Sequence, residues 1–280
     1  MSFLVSVDHL ANMIENKKGN IVVVDVRFQL TNPDAGKDAY LEEHIPGAVY
    51  LDLNKDLSGE VKKHGGSHPL PEREKLASKL GQLGIDRETT VIIYEEKNGM
   101  FSARCLWLLH YLGHEKAYIL DGGLTKWKEK NNEVSTNIPK TKKKTFKLGS
   151  THNETVNMQD VKQKMKEKSA ILIDSRSRER YLGNNEPLYA KVGHIPGAKN
   201  YFWKDVLNED GIWRTEKELE DLFAELPKDK EIIVSCGSGV SACPNILALK
   251  RAGFKNIKLY PGSFSDWISY NDNQLETKEE

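Results

Sequence analysis

The sequence predicts an α/β protein of two similar domains, each a parallel sheet with helices on both faces. Three observations carry that reading. Short β-branched runs alternate with stretches of helical spacing. The order of elements in the first half returns in the second, at a distance far too long for a solenoid repeat. Between the copies lies a lysine-rich stretch with no apolar periodicity. At 280 residues and 38% hydrophobic content, the chain can build two modest cores.

Residues 7–17 carry Val7, Leu10, Met13 and Ile14 at helical spacing, and Ile21-Val22-Val23-Val24-Asp25 follows as a buried strand. In the second half, Val156, Val161 and Met165 mark a helix and Ile171-Leu172-Ile173-Asp174 a strand. An arginine stands two residues past each aspartate, Arg27 and Arg176. His44-Ile45-Pro46-Gly47-Ala48 returns as His194-Ile195-Pro196-Gly197-Ala198. Val91-Ile92-Ile93-Tyr94 pairs with Ile232-Ile233-Val234-Ser235, and helical stretches follow at Ser102 to Leu112 and Ser241 to Ala252. Asp121-Gly122-Gly123 with Trp127 pairs with Pro261-Gly262-Ser263 with Trp267. The domains are therefore expected at 1–135 and 151–280, joined by a solvated linker over 136–150. Its lysines read as solubilising, with a polyanion-binding patch as the alternative.

Lys plus Arg and Asp plus Glu number 41 each, so no net field favours nucleic acid or an anionic membrane, and neither partner is expected. Three cysteines form no disulfide framework and point to a reducing compartment. The first ten residues lack a basic segment followed by an apolar one, and no stretch is long and apolar enough to span a bilayer. The expectation is a soluble, cytoplasmic monomer.

The stretch Val234 to Cys243, V-S-C-G-S-G-V-S-A-C, concentrates the chemistry. A strand runs into Cys236, and a Gly-Ser-Gly turn then opens a helix-compatible segment. Backbone N–H groups of such a loop make a nest for negative charge, and a helix N-terminus adds about half a positive charge, so a thiolate is favoured there. Gly237 and Gly239 let the backbone curl close to the sulfur. The duplication serves as a control: what both halves share is architecture, and what one half alone carries is chemistry. The H-I-P-G-A boxes and the Asp/Arg pairs are shared. Cys236 has no twin, since the first half offers Glu95 in a loop two residues longer before the shared Ser-Ala. Arg180 stands opposite Thr31, and Gly65-Gly66-Ser67-His68-Pro69-Leu70-Pro71 has no counterpart in the second half. Cys243, two helical turns past Cys236, and Cys105, in an apolar stretch, read as buried.

With the paired halves, both H-I-P-G-A boxes and the loop C-G-S-G-V-S-A in view, the whole chain resembles the tandem-domain rhodaneses, and among them the 3-mercaptopyruvate and thiosulfate sulfurtransferases. The resemblance implies an inactive first domain and a second whose Cys236 becomes a persulfide. It implies a donor site made by Gly237, Gly239, Val240 and Ser241 of the loop together with Arg180, which would hold the donor's anionic end. Thiosulfate-preferring members carry basic residues directly after the cysteine, where this chain has Gly237 and Ser238. A second substrate arginine of many mercaptopyruvate enzymes falls on Tyr189. A Ser-His-Asp relay matches Ser238 and His68, with Asn54 at the Asp position and Asp52 and Asp56 nearby. The implied reaction is a ping-pong transfer to a thiol such as thioredoxin, or to cyanide, with no metal or cofactor. The alternatives are a thiosulfate-preferring enzyme and a non-catalytic binding module. A cysteine phosphatase would need an arginine six residues after Cys236, and that residue is Ala242.

Overall fold

In the computed structural model, which describes residues 2–16, 19–150 and 154–278, strands and helices alternate throughout. The chain divides into two compact units. Unit 1 comprises Met1–Gly59, Pro71–His152 and Glu209–Trp213; unit 2 comprises Glu60–Leu70, Asn153–Asn208 and Arg214–Glu280.

Unit 1 runs β1 (Leu4–Val5), α1 (Val7–Glu15), β2 (Ile21–Asp25), α2 (Ala35–Glu42), β3 (Val49–Tyr50), α3 (Arg73–Gln82), β4 (Thr90–Tyr94), α4 (Met100–Tyr111), β5 (Ala117–Leu120) and α5 (Gly123–Glu129). All strands are parallel, in the order β1-β5-β4-β2-β3. Successive strand residues point to opposite faces, so a run such as Val91-Ile92-Ile93 needs cover on both. Val23, Ile92 and Leu120 pack with Val7 and Leu10 of α1 and with Leu124 and Trp127 of α5. Their neighbours Val24, Val91 and Ile93 are equally buried and face the side where α4 contacts β4 and β5.

Unit 2 repeats the plan with α6 (Met158–Glu167), β6 (Ala170–Asp174), α7 (Arg178–Tyr181), β7 (Lys199–Asn200), a 3₁₀ turn (Trp203–Val206), α8 (Glu216–Leu222), β8 (Glu231–Ser235), α9 (Cys243–Arg251), β9 (Ile257–Leu259) and α10 (Ser263–Trp267). Its parallel sheet has the order β7-β6-β8-β9. Leu172 and Ile233 pack with Val161 of α6 and Trp267 of α10.

The shared motifs are architectural in both units. His44 and His194 are buried, stack on Tyr40 and Tyr181, and bond through Nδ1 to the carbonyls of those tyrosines at 2.6 and 2.7 Å. Each tyrosine hydroxyl in turn donates to the alanine carbonyl that closes the box, at 2.8 and 2.7 Å. Arg27 and Arg176 fold back onto Asp25 and Asp174 and donate to a further carbonyl, that of Glu43 or Gly193.

Three features depart from the sequence expectation. The first helix ends at Glu15, and residue 17 lies outside the described residues, as do 151–153 and 279–280 of the second expected domain. The linker over 136–150 is exposed over most of its length, yet it is tied to unit 1 at several points. Lys144 N–H donates to Gly81 O, its Nζ reaches Asn20, Thr89 and Asp86, and Phe146 is buried. The reason is local: Gly81 and Gly113 lack the Cβ that would strike the linker backbone within 3 Å. Two short segments also group with the unit of the other half of the chain, Glu60–Leu70 with unit 2 and Glu209–Trp213 with unit 1.

Candidate active site

Ile232, Ile233 and Val234 fill the core of unit 2, which places Cys236 just past the carboxyl end of β8, where open α/β sheets bind ligands. The loop is clamped from α10: the N–H groups of Phe264 and Ser265 donate to the carbonyls of Cys236 and Gly237 at 3.0 and 2.9 Å. Gly239 takes φ +78°, and a Cβ there would lie 2.3 Å from the carbonyl oxygen of Pro261. That conformation turns the Gly239 N–H onto Cys236 Sγ at 3.1 Å. Val240 is buried and its carbonyl accepts the N–H of Cys243, while Ser241 is half-exposed in the turn that follows. The helix begins at Cys243 rather than at Ser241, so the amide closest to the sulfur comes from the loop.

Ser263 completes the cradle. It is a non-glycine residue at φ +52°, completely buried, with its Oγ accepting the Cys236 N–H at 3.0 Å and donating to Tyr260 O at 2.8 Å. A left-handed conformation costs an L-residue roughly 1–2 kcal/mol, and the hydroxyl is what that cost supports. Ser263→Ala is expected to lose about 1–3 kcal/mol of stability by orphaning a buried N–H. Ser263→Gly is expected to lose less, because it relieves the backbone, yet to impair sulfur transfer as much as the alanine. Thermal melts read beside kcat/KM test the pair.

His68 lies in the same compact unit as Cys236, although it comes from the first half of the chain. Its Nδ1 is 2.7 Å from Ser238 Oγ. Several contacts hold the segment: Asp266 Oδ1 accepts the Gly65 N–H at 2.7 Å, Ser265 Oγ accepts the Ser67 N–H at 3.1 Å, and His64 bonds Ser269 Oγ and stacks on Tyr270. Gly66, at φ +83°, passes so close to Gly262 that a Cβ would lie 2.5 Å from its oxygen. Asn54, at the third relay position, is exposed at the tip of a turn in unit 1. Asp52 accepts the N–H groups of Asn54 and Lys55, and Asp56 accepts that of Asp52 and pairs with Lys79 of α3, so both carboxylates have partners within unit 1.

Arg180 also borders the loop: its Nη2 is 3.4 Å from where a Gly237 Cβ would stand. The sequence reading missed its partner. Glu186, with no exposed side-chain surface, accepts from Arg180 Nε and Nη2 at 3.0 and 2.9 Å and from Arg176 Nη1 at 3.1 Å. Tyr189 Oη lies 3.0 Å from the same Gly237 position and 3.3 Å from Ser67 Oγ. Burial pushes the Tyr189 phenol up from its ordinary value, with a smaller upward push from Cys236.

The matching place in unit 1 shows what the cradle does without a thiol. Leu124 and Thr125 clamp the carbonyls of Glu95 and Glu96 at 2.9 Å, so Glu95 stands where Cys236 stands. Its Oε1 accepts the N–H and the Oγ–H of Ser102, and burial raises its carboxyl to about 7. Gly123, at φ +63°, occupies the place of Ser263. That Gly-to-Ser difference between the halves is the signal by which the sequence could have revealed Ser263.

A family model for the rhodanese-like domain matches residues 6–130 and again 157–270. The chain belongs to the rhodanese family. It is 33% identical over 281 residues to an Escherichia coli protein named 3-mercaptopyruvate sulfurtransferase, covering 98% of each. A Mycobacterium tuberculosis relative, SseB, 34% identical over 274 residues and spanning 95% of this chain and 94% of its own, carries a thiosulfate sulfurtransferase name. The crystal structure of Escherichia coli SseA, titled as a 3-mercaptopyruvate enzyme of rhodanese fold, superposes with a TM-score of 0.83 at 33% identity, over 95% of this chain and 100% of that one. The rhodanese chain described here thus has two domains of the same fold, and only the second carries the cysteine loop.

Proposed function

We infer that this sulfurtransferase takes sulfur from 3-mercaptopyruvate in preference to thiosulfate, holds it as a persulfide on Cys236, and passes it to a thiol acceptor such as thioredoxin, or to cyanide. The observation that carries the reading is Cys236 Sγ under the Gly239 N–H, two residues from a serine that is hydrogen-bonded to His68. The thiolate attacks the donor sulfur, an S–S bond forms, and the carbon–sulfur bond breaks with its electron pair left on the pyruvate enolate. The proton of the donor thiol ends on the enolate carbon, moved by the Ser238–His68 pair, so thiolate and donor become ionised persulfide and pyruvate. Loop amides and the Ser238 hydroxyl solvate the persulfide charge. The acceptor thiolate then attacks the outer sulfur and frees Cys236.

Charge favours the monoanionic donor. Asp174, Arg176, Glu186 and Arg180 form a chain of two carboxylates and two guanidiniums, so their formal charges cancel. No side-chain cation directly follows Cys236 either. A compact dianion such as thiosulfate gains little there, whereas a carboxylate can use the directed N–H groups of Arg180. Incubation with each donor and intact-mass measurement should show one added sulfur atom on one cysteine. Side-by-side kcat/KM values are expected to favour mercaptopyruvate. A reversed ratio identifies a thiosulfate-preferring enzyme, and absence of any added sulfur identifies a non-catalytic module.

A further inference from the structure

We propose that Tyr189, with Ser67 beside it, donates a hydrogen bond to the keto oxygen of a 2-oxo sulfur donor and so fixes the enzyme's selectivity for donors whose leaving group is an enolate. The proposal rests on the sulfurtransferase reading above and deepens it.

The geometry is that of a donor group waiting at the cysteine loop. Tyr189 Oη and Arg180 Nη2 stand against the same face of Gly237, at 3.0 and 3.4 Å from its missing Cβ, so no side chain separates them from the loop. The Tyr189 ring is fixed by Phe264, the residue that clamps the Cys236 carbonyl, at 5.8 Å between centroids, and Arg180 lies 5.7 Å from its centre. Cys236 is 1% exposed, so a donor reaching the sulfur meets the groups that border the loop rather than open solvent.

Hydroxyl chemistry follows from the local bonds. Ser67 is held in place by its own N–H, donated to Ser265 Oγ, while Ser265 donates its hydroxyl proton to Gly262 O. Ser67 Oγ and Tyr189 Oη lie 3.3 Å apart and either hydroxyl can donate to the other; in the proposed arrangement, Ser67 donates and the phenolic proton turns to the ligand. Burial keeps that phenol protonated, hence a donor and not a base.

The reaction decides what such a donor is for. When the carbon–sulfur bond of a 2-oxo thiol breaks, negative charge moves onto the keto oxygen; when thiosulfate reacts, sulfite leaves with its charge on oxygens already present. A neutral donor aimed at a developing oxyanion acts mainly in the transition state and is worth about 10²–10³ in kcat. Arg180, already charge-balanced by Glu186, is left to orient the carboxylate.

The test is Tyr189→Phe, which keeps the ring on Phe264 and removes only the hydroxyl. With mercaptopyruvate, kcat should fall by about 10²–10³-fold with little change in KM, while kcat/KM for thiosulfate stays close to wild type. Equal losses with both donors would assign Tyr189 a structural role and overturn the proposal, and so would an unchanged mercaptopyruvate rate. Sulfur loading of wild-type Cys236, followed by mass with each donor, is measured first. Failure of wild type to load overturns the underlying reading itself, before the variant is compared.

Discussion

Cys236→Ser is expected to abolish sulfur transfer, while Cys105→Ser and Cys243→Ser keep most of it. The Gly239 N–H points at the Cys236 sulfur, at the carboxyl end of β8. Cys105 is buried within α4 of unit 1, where burial pushes its thiol up to about 12, so it stays protonated at neutral pH. Cys243 is also fully buried, and its thiol is placed to donate to Gly239 O at 3.5 Å, which makes it a weak brace for the loop. Its serine variant should therefore change stability by no more than about 1 kcal/mol, the worth of an ordinary hydrogen bond. Serine at 236 preserves the backbone bonds to Ser263, Phe264 and Ser265, so loss of turnover in a folded protein reports the chemistry of sulfur alone. Steady-state rates, intact mass after donor treatment and thermal melts on the three variants check this. Substantial transfer by Cys236→Ser would remove Cys236 from the mechanism.

Local signals made the fold readable. The β-branched runs, the repeated His-Ile-Pro-Gly-Ala boxes and the paired Asp and Arg residues each act within a few residues of themselves, and duplication gave every element a second copy to be checked against. Two residues after Cys236 and two glycines around Ser238 similarly announce a cradle at a strand end. What did not show was partnership across the chain. Glu186 sits only six residues from Arg180 but in a loop of no regular period, so no spacing rule marks it as the residue that balances the arginine. The docking of Gly65 onto Asp266 spans 201 residues, and the Gly65–Pro71 motif by itself names no partner. Ser263 is the intermediate case. It stood in the alignment of the halves as a serine opposite Gly123, and subtracting one half from the other would have singled it out as it singled out Cys236.

His68→Ala is expected to slow mercaptopyruvate turnover by about 10²–10⁴-fold, the range of general acid–base groups, while affecting thiosulfate much less. The argument rests on where the proton must go. Pyruvate leaves as an enolate that needs a proton on carbon, whereas sulfite leaves as a stable anion. The imidazole that would move the proton touches Ser238 at 2.7 Å, and Ser238 is two residues from the attacking sulfur. Asp52 accepts N–H groups of its own turn, Asp56 pairs with Lys79, and Asn54 is exposed. Asn54, at the third relay position, carries no charge of its own, so the low end of that range is expected. The alanine variant should retain its fold, because the Gly65 and Ser67 N–H groups still anchor the segment when the ring is gone. Added imidazole should restore part of the mercaptopyruvate rate in His68→Ala and none in Tyr189→Phe, which separates loss of a proton carrier from loss of an oxyanion donor. The measurement is the ratio of kcat/KM for the two donors, with and without imidazole. An unchanged ratio would take His68 out of the proton path and leave it only a part of the loop that carries it.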